Sequence, residues 1–381
     1  MSQFLSHSLS DYLTVLRPEV SPQLISSECW QHIDTVAQKL PSAITPFWGF
    51  ECPLGTEAAS ADFLICATAQ DGGRQILAGD RDAMALPDSL QSYPIWQQIK
   101  NFSREWSTET SLLYSHVHNV WLEFDVSSLS NPVSSPSCFF APQPIHATAS
   151  AVGAIAHPHE WITQTALKLL LNRKISEPVQ HQLFKCLDAL PPDAYVFQIG
   201  VMLSRDTDAI RICIRNISPE LVLDYLTQLS WSGSPEELRS VLSQFSGYVD
   251  RIDLDLDVGE TIAPKLGLEC YLDQQPLVEP RWSAFLDQLV AEDLCVLSKR
   301  DHLLAYPGHI RRSRHPELWS SQLTQFSELL GSKYEIVFLK GLHHIKIAYQ
   351  PNAPLTAKAY LAIGKTLIDK EALKQVSQTV H

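Results

Sequence analysis

Apolar residues recur along this chain with two different periods. The first is close to 3.6 residues and predicts amphipathic helices. Ile33, Val36, Ala37 and Leu40 form one such stripe, in a helix expected to start at Ser21-Pro22, and Ile95, Ile99, Phe102 and Trp106 form another. Leu183, Leu187 and Leu190 follow Ser176 and Pro178. Ser218-Pro219-Glu220 and Ser234-Pro235-Glu236-Glu237 are helix entries, since a serine can cap free N–H groups and proline fits the first turn. After the second entry, Leu238, Val241, Leu242 and Phe245 make the buried face. Trp282, Phe285, Leu286 and Leu289 form a further stripe, as do Trp319, Leu323, Phe326 and Leu330.

The second period is two, and it predicts strands that come in pairs. FWGFECPLG pairs with ADFLICATA, NVWLEFDVS with PSCFFAP, and YVFQIGVML with AIRICIRN. DRIDLDLDV pairs with KLGLECYLD, and HHIKIAYQP with TAKAYLAIG. Five helix-then-hairpin units result, unevenly spaced, which is a degenerate repeat and not a solenoid of fixed period. Strands in hairpins imply antiparallel neighbours with the helices gathered on one side.

Within these strands one face is apolar and the other polar. Ile252, Leu254, Leu256 and Val258 oppose Asp253, Asp255 and Asp257; Leu122, Phe124 and Val126 oppose Glu123 and Asp125. Ile210, Ile212 and Ile214 oppose Arg211, Cys213 and Arg215, and the Leu266 to Leu272 face opposes Lys265, Gly267, Glu269 and Tyr271. His344, Lys346, Lys358 and Tyr360 stand on the polar faces of the last pair. The apolar faces must pack against the helices. Because the repeat shows no edge-protecting strand, the sheet is expected to close rather than stay open with water on one face. The expected fold is therefore α/β: a closed antiparallel ten-stranded β-barrel surrounded by helices, with the polar faces turned into a ligand-sized lumen. Residues 1–44 are expected as N-terminal helices, 45–365 as the barrel, and 366–381 as a C-terminal helix or tail. The Pro/Ser stretch from Asn131 to Pro136 reads as a hairpin loop.

Composition narrows the partners. The 381 residues carry a formal charge of −13, which disfavours nucleic acid and an anionic membrane surface. No run is long and apolar enough for a transmembrane helix, and the N-terminus lacks a secretory signal, so a cytoplasmic location is expected. The eight scattered cysteines read as reduced, buried thiols. No GxGxxG, Walker or GxSxG motif occurs. A zinc site is not expected, and His343-His344 is expected to turn one imidazole inward.

Several segments resemble the ABBA, or PT-barrel, aromatic prenyltransferases, particularly the dimethylallyltryptophan synthase-like branch. TPFWGFECPLG is similar to that family's first strand, whose glutamate acts as general base; Glu51 holds the matching position. WLEFDVSSLSNPVSSPSCFFAP resembles the second hairpin, IDLDLDVGETIAPKLGLECYL a later one, and AKAYLAIG keeps a K-x-Y element in Lys358 and Tyr360. The likeness spans roughly residues 45–365. The chain departs from the family in ADFLICATA, where an arginine is usual, at Ser137 and Cys138, where a lysine is usual, and near Glu269, beside another usual lysine.

The resemblance implies a transferase of secondary metabolism that moves a prenyl group from an allylic diphosphate to an aromatic or peptide side-chain acceptor. Such chemistry needs fixed cations on the leaving diphosphate. Arg211, Arg215, Lys265, Lys346 and Lys358 are the candidates, with Tyr271 and Tyr360 as hydrogen-bond donors and cation–π shields. The alternative use of these cations is to pair with inward carboxylates. Glu123, Asp125, Asp253, Asp255 and Glu269 are candidates for binding the acceptor or a cation. With Glu51 and Asp257 they outnumber the five inward cations, and the aspartate ladder favours a counter-cation, Mg²⁺ carrying the pyrophosphate or a cationic acceptor. No other cofactor is implied, and a monomer or weak homodimer is expected. The competing reading is a non-catalytic barrel that binds a small molecule or peptide as a maturation factor.

Overall fold

A computed structural model describes residues 8–80, 86–126, 135–147, 157–205, 207–272, 274, 279–331 and 333–369. Its eleven strands are β1 (Phe47–Pro53), β2 (Asp62–Thr68), β3 (Val117–Phe124), β4 (Ser137–Pro142), β5 (Tyr195–Val201), β6 (Ile210–Arg215), β7 (Arg251–Val258), β8 (Ile262–Tyr271), β9 (Gly308–Arg311), β10 (Tyr334–Tyr349) and β11 (Thr356–Asp369). Every neighbouring pair is antiparallel, in the order β11-β1-β2-β3-β4-β5-β6-β7-β8-β10, and β10 pairs with β11 to close the ring. All five expected hairpins form in this ten-stranded barrel. The eleventh strand, β9, lies against the first half of β10, outside the ring, and has no counterpart among the expected strands.

Period-two patterning sets the two faces. Outward residues of the first strands pack under the helices as a connected aromatic layer. Trp48 stacks on Tyr12 at 5.5 Å, Trp30 meets Phe50 edge-on at 5.3 Å, and Phe63 stacks on Phe124 at 6.2 Å. Further round, Phe102 of the helix Pro94–Ser107 covers Phe140 of β4. Such rings dominate burial, so this layer fixes which strand face points away from the lumen.

Three helical expectations are corrected. Ser21-Pro22 is a turn, closed by the N–H groups of Leu24 and Ile25 on the Ser21 carbonyl; the helix runs Ser27–Ala37, where the Ser26 hydroxyl caps the Cys29 N–H. A proline near a serine satisfies either a turn or a helix entry, and here the apolar stripe begins too late for the latter. Phe326 on the helix Ser321–Leu329 is 47% exposed, so that stripe is buried only through Trp319 and Leu323. Residues 366–369 continue β11 rather than opening a C-terminal helix. The rest of that segment, and positions 131–134 of the Pro/Ser stretch, lie outside the described residues. No helix among the described residues is long and apolar enough to cross a membrane. All eight cysteines are buried and free.

Candidate functional site

The inward faces enclose a cavity of about 350 Å³, the size of an ordinary small-molecule site. Its wall has two kinds of surface. One is aromatic: Phe47 meets Trp121 edge-on at 5.5 Å, and His344 is sandwiched between Tyr271 at 4.7 Å and Tyr360 at 4.0 Å. The other is charged, with every candidate diphosphate ligand on the lining: Arg211, Arg215, Lys265, Lys346, Lys358, Tyr271 and Tyr360.

Two local irregularities shape the aromatic part. The register of β10 on β11 slips between Leu342 and His344, leaving His343 as an extra residue. Consecutive strand residues normally face opposite ways, and a bulge re-aims one of them. Both His343 and His344 therefore line the cavity, where one inward imidazole was expected. Their Nδ1 atoms hydrogen-bond at 2.8 Å. Burial and the nearby Arg215 and Arg251 push His343 down to about 4, and burial with His343 and Lys346 holds His344 well below its ordinary value. Both rings are neutral at pH 7. The same kind of slip in β5 turns Phe197 and Gln198 toward the cavity, and the Arg215 guanidinium lies 4.0 Å over the Phe197 ring.

The expected excess of carboxylates is not what lines the lumen. Among the described residues, the lining carboxylates are Glu51, Glu123, Asp255, Asp257 and Glu269, while Arg205 joins the five expected cations to make six. Arg205 comes from the turn after β5, outside any strand pattern, and grips Asp125 with Nε and Nη2 at 2.9 and 2.8 Å. Arg251 shares the face of the aspartate ladder two residues before Asp253, and continuing the alternation backward by one step would have found it.

The ladder finds its counter-cations within the protein. Arg211 binds Asp257 in a fork at 2.8 and 2.9 Å. Asp253, fully buried, is held by Arg215 at 3.0 Å and Arg251 at 2.8 Å. Lys346 reaches Asp255 and lies 3.5 Å from Glu269, whose other oxygen accepts from Tyr271 at 2.9 Å. Burial disfavours a charged Lys346, yet Asp255 and Glu269 outweigh it and raise its affinity for the proton. Gly267 makes the Lys346–Asp255 contact possible, because a Cβ there would sit 2.6 Å from the lysine stem and 2.9 Å from the aspartate oxygen. Asp253 and Asp125 are engaged in these ion pairs and are not on the cavity wall. No group of three or more His, Cys, Asp or Glu side chains suited to a metal ion occurs among the described residues.

Glu51 stands opposite Tyr360 in the β1–β11 ladder. One of its oxygens accepts from Lys358 and the other from the Tyr360 hydroxyl. Burial alone would raise the carboxyl, but the Lys358 ammonium and these hydrogen bonds hold it below its ordinary range. Glu123, on β3, differs. It has no hydrogen-bond or ion-pair partner among the described residues, and burial with the nearby Glu51 charge pushes it up to about 8. Lys265 is likewise without a partner, and burial with the surrounding Arg211 and Lys358 charges lowers its hold on the proton.

No known family model matches the sequence, and no curated protein matches it either. Solved structures similar to this chain include the prenyltransferase PriB in its apo form, with a TM-score of 0.44 and 14% identity over 93% of this chain and 94% of that one. Another is 5-dimethylallyltryptophan synthase from Streptomyces coelicolor, with a TM-score of 0.49 and 13% identity over 93% of this chain and 97% of that one. A further structure, of 5-dimethylallyl tryptophan synthase from the same organism with DMASPP and Trp, gives 0.48 and 13% over 93% and 95%. The closed ten-stranded antiparallel barrel ringed by helices is the architecture that the sequence's resemblance to the ABBA prenyltransferases implied.

Proposed function

We propose that this barrel transfers a prenyl group from an allylic diphosphate to an aromatic or peptide side-chain acceptor. The observation that carries the reading is the convergence of Arg205, Arg211, Lys265, Lys346 and Lys358 on one aromatic-walled cavity, with Lys265 paired to no carboxylate among the described residues. In the reaction, the allylic C–O bond breaks and its electron pair leaves with the diphosphate. Fixed cations already in place favour that growing charge. The rings of Tyr271, Tyr360, Trp121 and Phe47 shield the allylic cation from water and favour it through their π faces. The acceptor supplies the electron pair of the new bond, and its displaced proton passes to Glu51. Any Mg²⁺ enters with the diphosphate.

The test is incubation with dimethylallyl diphosphate and a panel of indoles, phenols and short peptides, with products read by mass spectrometry. Prenylated product is expected, and Lys265→Ala or Arg211→Ala should weaken diphosphate binding by about tenfold, as the loss of a charged hydrogen bond does. A second reading has its own support. Arg205, Arg211, Arg215, Lys346 and Lys358 each already hold a carboxylate, as suits a barrel that binds a neutral ligand or peptide without turnover. Tight acceptor binding with no diphosphate binding would favour that reading.

A further inference from the structure

The Lys358 ammonium occupies a position between two possible anions. It pairs with Glu51 across the β1–β11 seam, yet 38% of its side chain remains exposed, and it lies on the cavity wall. In the β10–β11 register it stands directly opposite Lys346. Those two ammonium groups are each neutralised from the side, Lys346 by Asp255 and Glu269 and Lys358 by Glu51. Glu51, for its part, has both oxygens engaged, by Lys358 and by Tyr360. A carboxylate in that state is a weaker base toward a third group, because each oxygen already accepts a hydrogen bond and its charge is compensated by Lys358.

Resting on the reading of the lumen as a diphosphate site, we propose that Lys358 is exchanged between Glu51 and the diphosphate, so that binding of the anionic donor releases Glu51 to act on the acceptor. The exchange keeps Lys358 compensated throughout: a carboxylate partner is replaced by a phosphate oxygen. It also imposes an order, with the base becoming available only once the donor is seated. An acceptor that arrives alone meets a carboxylate already held by its own strand neighbours.

Competition for one ammonium has a signature that general charge repulsion lacks. Removing the Glu51 charge favours any nearby anion, whereas removing a competitor matters only while Lys358 is present. The experiment is therefore a double-mutant cycle with inorganic pyrophosphate and the full chain, measured by calorimetry on wild type, Glu51→Gln, Lys358→Gln and the double variant. Glu51→Gln is expected to tighten pyrophosphate binding about tenfold more in the presence of Lys358 than in its absence. Equal tightening in both backgrounds, or weaker binding by Glu51→Gln, overturns the exchange while leaving the diphosphate site standing. A wild-type protein that binds no pyrophosphate removes the diphosphate reading and the exchange with it. An independent readout is the infrared carboxylate stretch of the wild type, which should shift on adding pyrophosphate through a component missing in Glu51→Gln. A wild type that binds pyrophosphate with no shift of any carboxylate band overturns the exchange even where that variant does not fold.

Discussion

Glu123 and Glu51 are both glutamates of one lumen with opposite acid strengths, and partners alone separate them. Glu51 is held ionised by Lys358 and Tyr360, whereas Glu123 is buried beside that negative charge with no ion-pair partner among the described residues, and the more distant Lys346, Arg211 and Arg205 do not offset this. This difference predicts a pH dependence of stability. A glutamate in an unfolded chain titrates near 4.3, and Glu123 in the folded protein near 8. Between those values the folded state holds a proton that the unfolded state has lost, so stability falls as pH rises through that window. Glu123→Gln should remove this part of the slope and melt higher than wild type at pH 8.5. Melting curves from pH 5 to 8.5 on both proteins check it, and parallel curves would contradict the assignment.

At this scale much of the lumen was legible. A strict alternation of apolar and charged residues in β6, β7, β8 and β11 leaves little freedom about which side chains point inward. What stayed hidden has particular causes. Arg205 sits in a turn, where no periodicity operates, and His343 points inward only through a bulge. The pairing of each cation with its own carboxylate depends on inter-strand register, as between Arg211 and Asp257, which face each other across β6 and β7. A single strand's sequence does not encode that register.

Elements are held in the ring by close approaches that only small or buried polar groups allow. At Gly49, on the seam between β1 and β11, a Cβ would come within 2.4 Å of the Leu361 carbonyl oxygen. That neighbour is backbone and cannot rotate away. Gly49→Ala should cost about 1–3 kcal/mol by overpacking, seen as a lower denaturant midpoint. Lys299 is the second case. It is fully buried on the helix Leu297–Leu304, and its ammonium donates to the carbonyls of Pro53 at 2.6 Å and Ala58 at 2.7 Å. It thereby pins the turn that follows β1, two residues beyond Glu51. Lys299→Met keeps the stem but leaves both carbonyls without their donor, at a cost of about 1–3 kcal/mol. An unchanged midpoint would contradict that role. Nothing in the helical pattern of LSKRDHLL distinguishes Lys299 from a solvent-facing lysine, since its partners lie some 240 residues earlier. The short strand β9 was missed for a related reason: four residues are too few to show a period.

The whole molecule combines an apolar outer layer, between barrel and helices, with a polar interior whose lining charges nearly balance. The outer layer was readable because it follows the apolar period, and closure because five similar hairpins offered no protected edge. All eight thiols are buried, and burial raises those of Cys52, Cys66 and Cys138 among them. A thiol reagent such as Ellman's should therefore count eight cysteines in denaturant and almost none in the native protein. Rapid reaction of several native thiols would contradict the packing described.

The charge of the interior bears most directly on function. An acid-rich lumen would repel a diphosphate, whereas the six cations and five carboxylates that line this one among the described residues suit the proposed donor. The most direct measurement is a calorimetric titration of the full chain with dimethylallyl thiolodiphosphate, an analogue that resists ionisation, repeated on Lys265→Ala and Arg211→Ala. Saturable binding at one site is expected, weakened about tenfold by either substitution. Absence of binding at millimolar analogue, or binding indifferent to both substitutions, would contradict it.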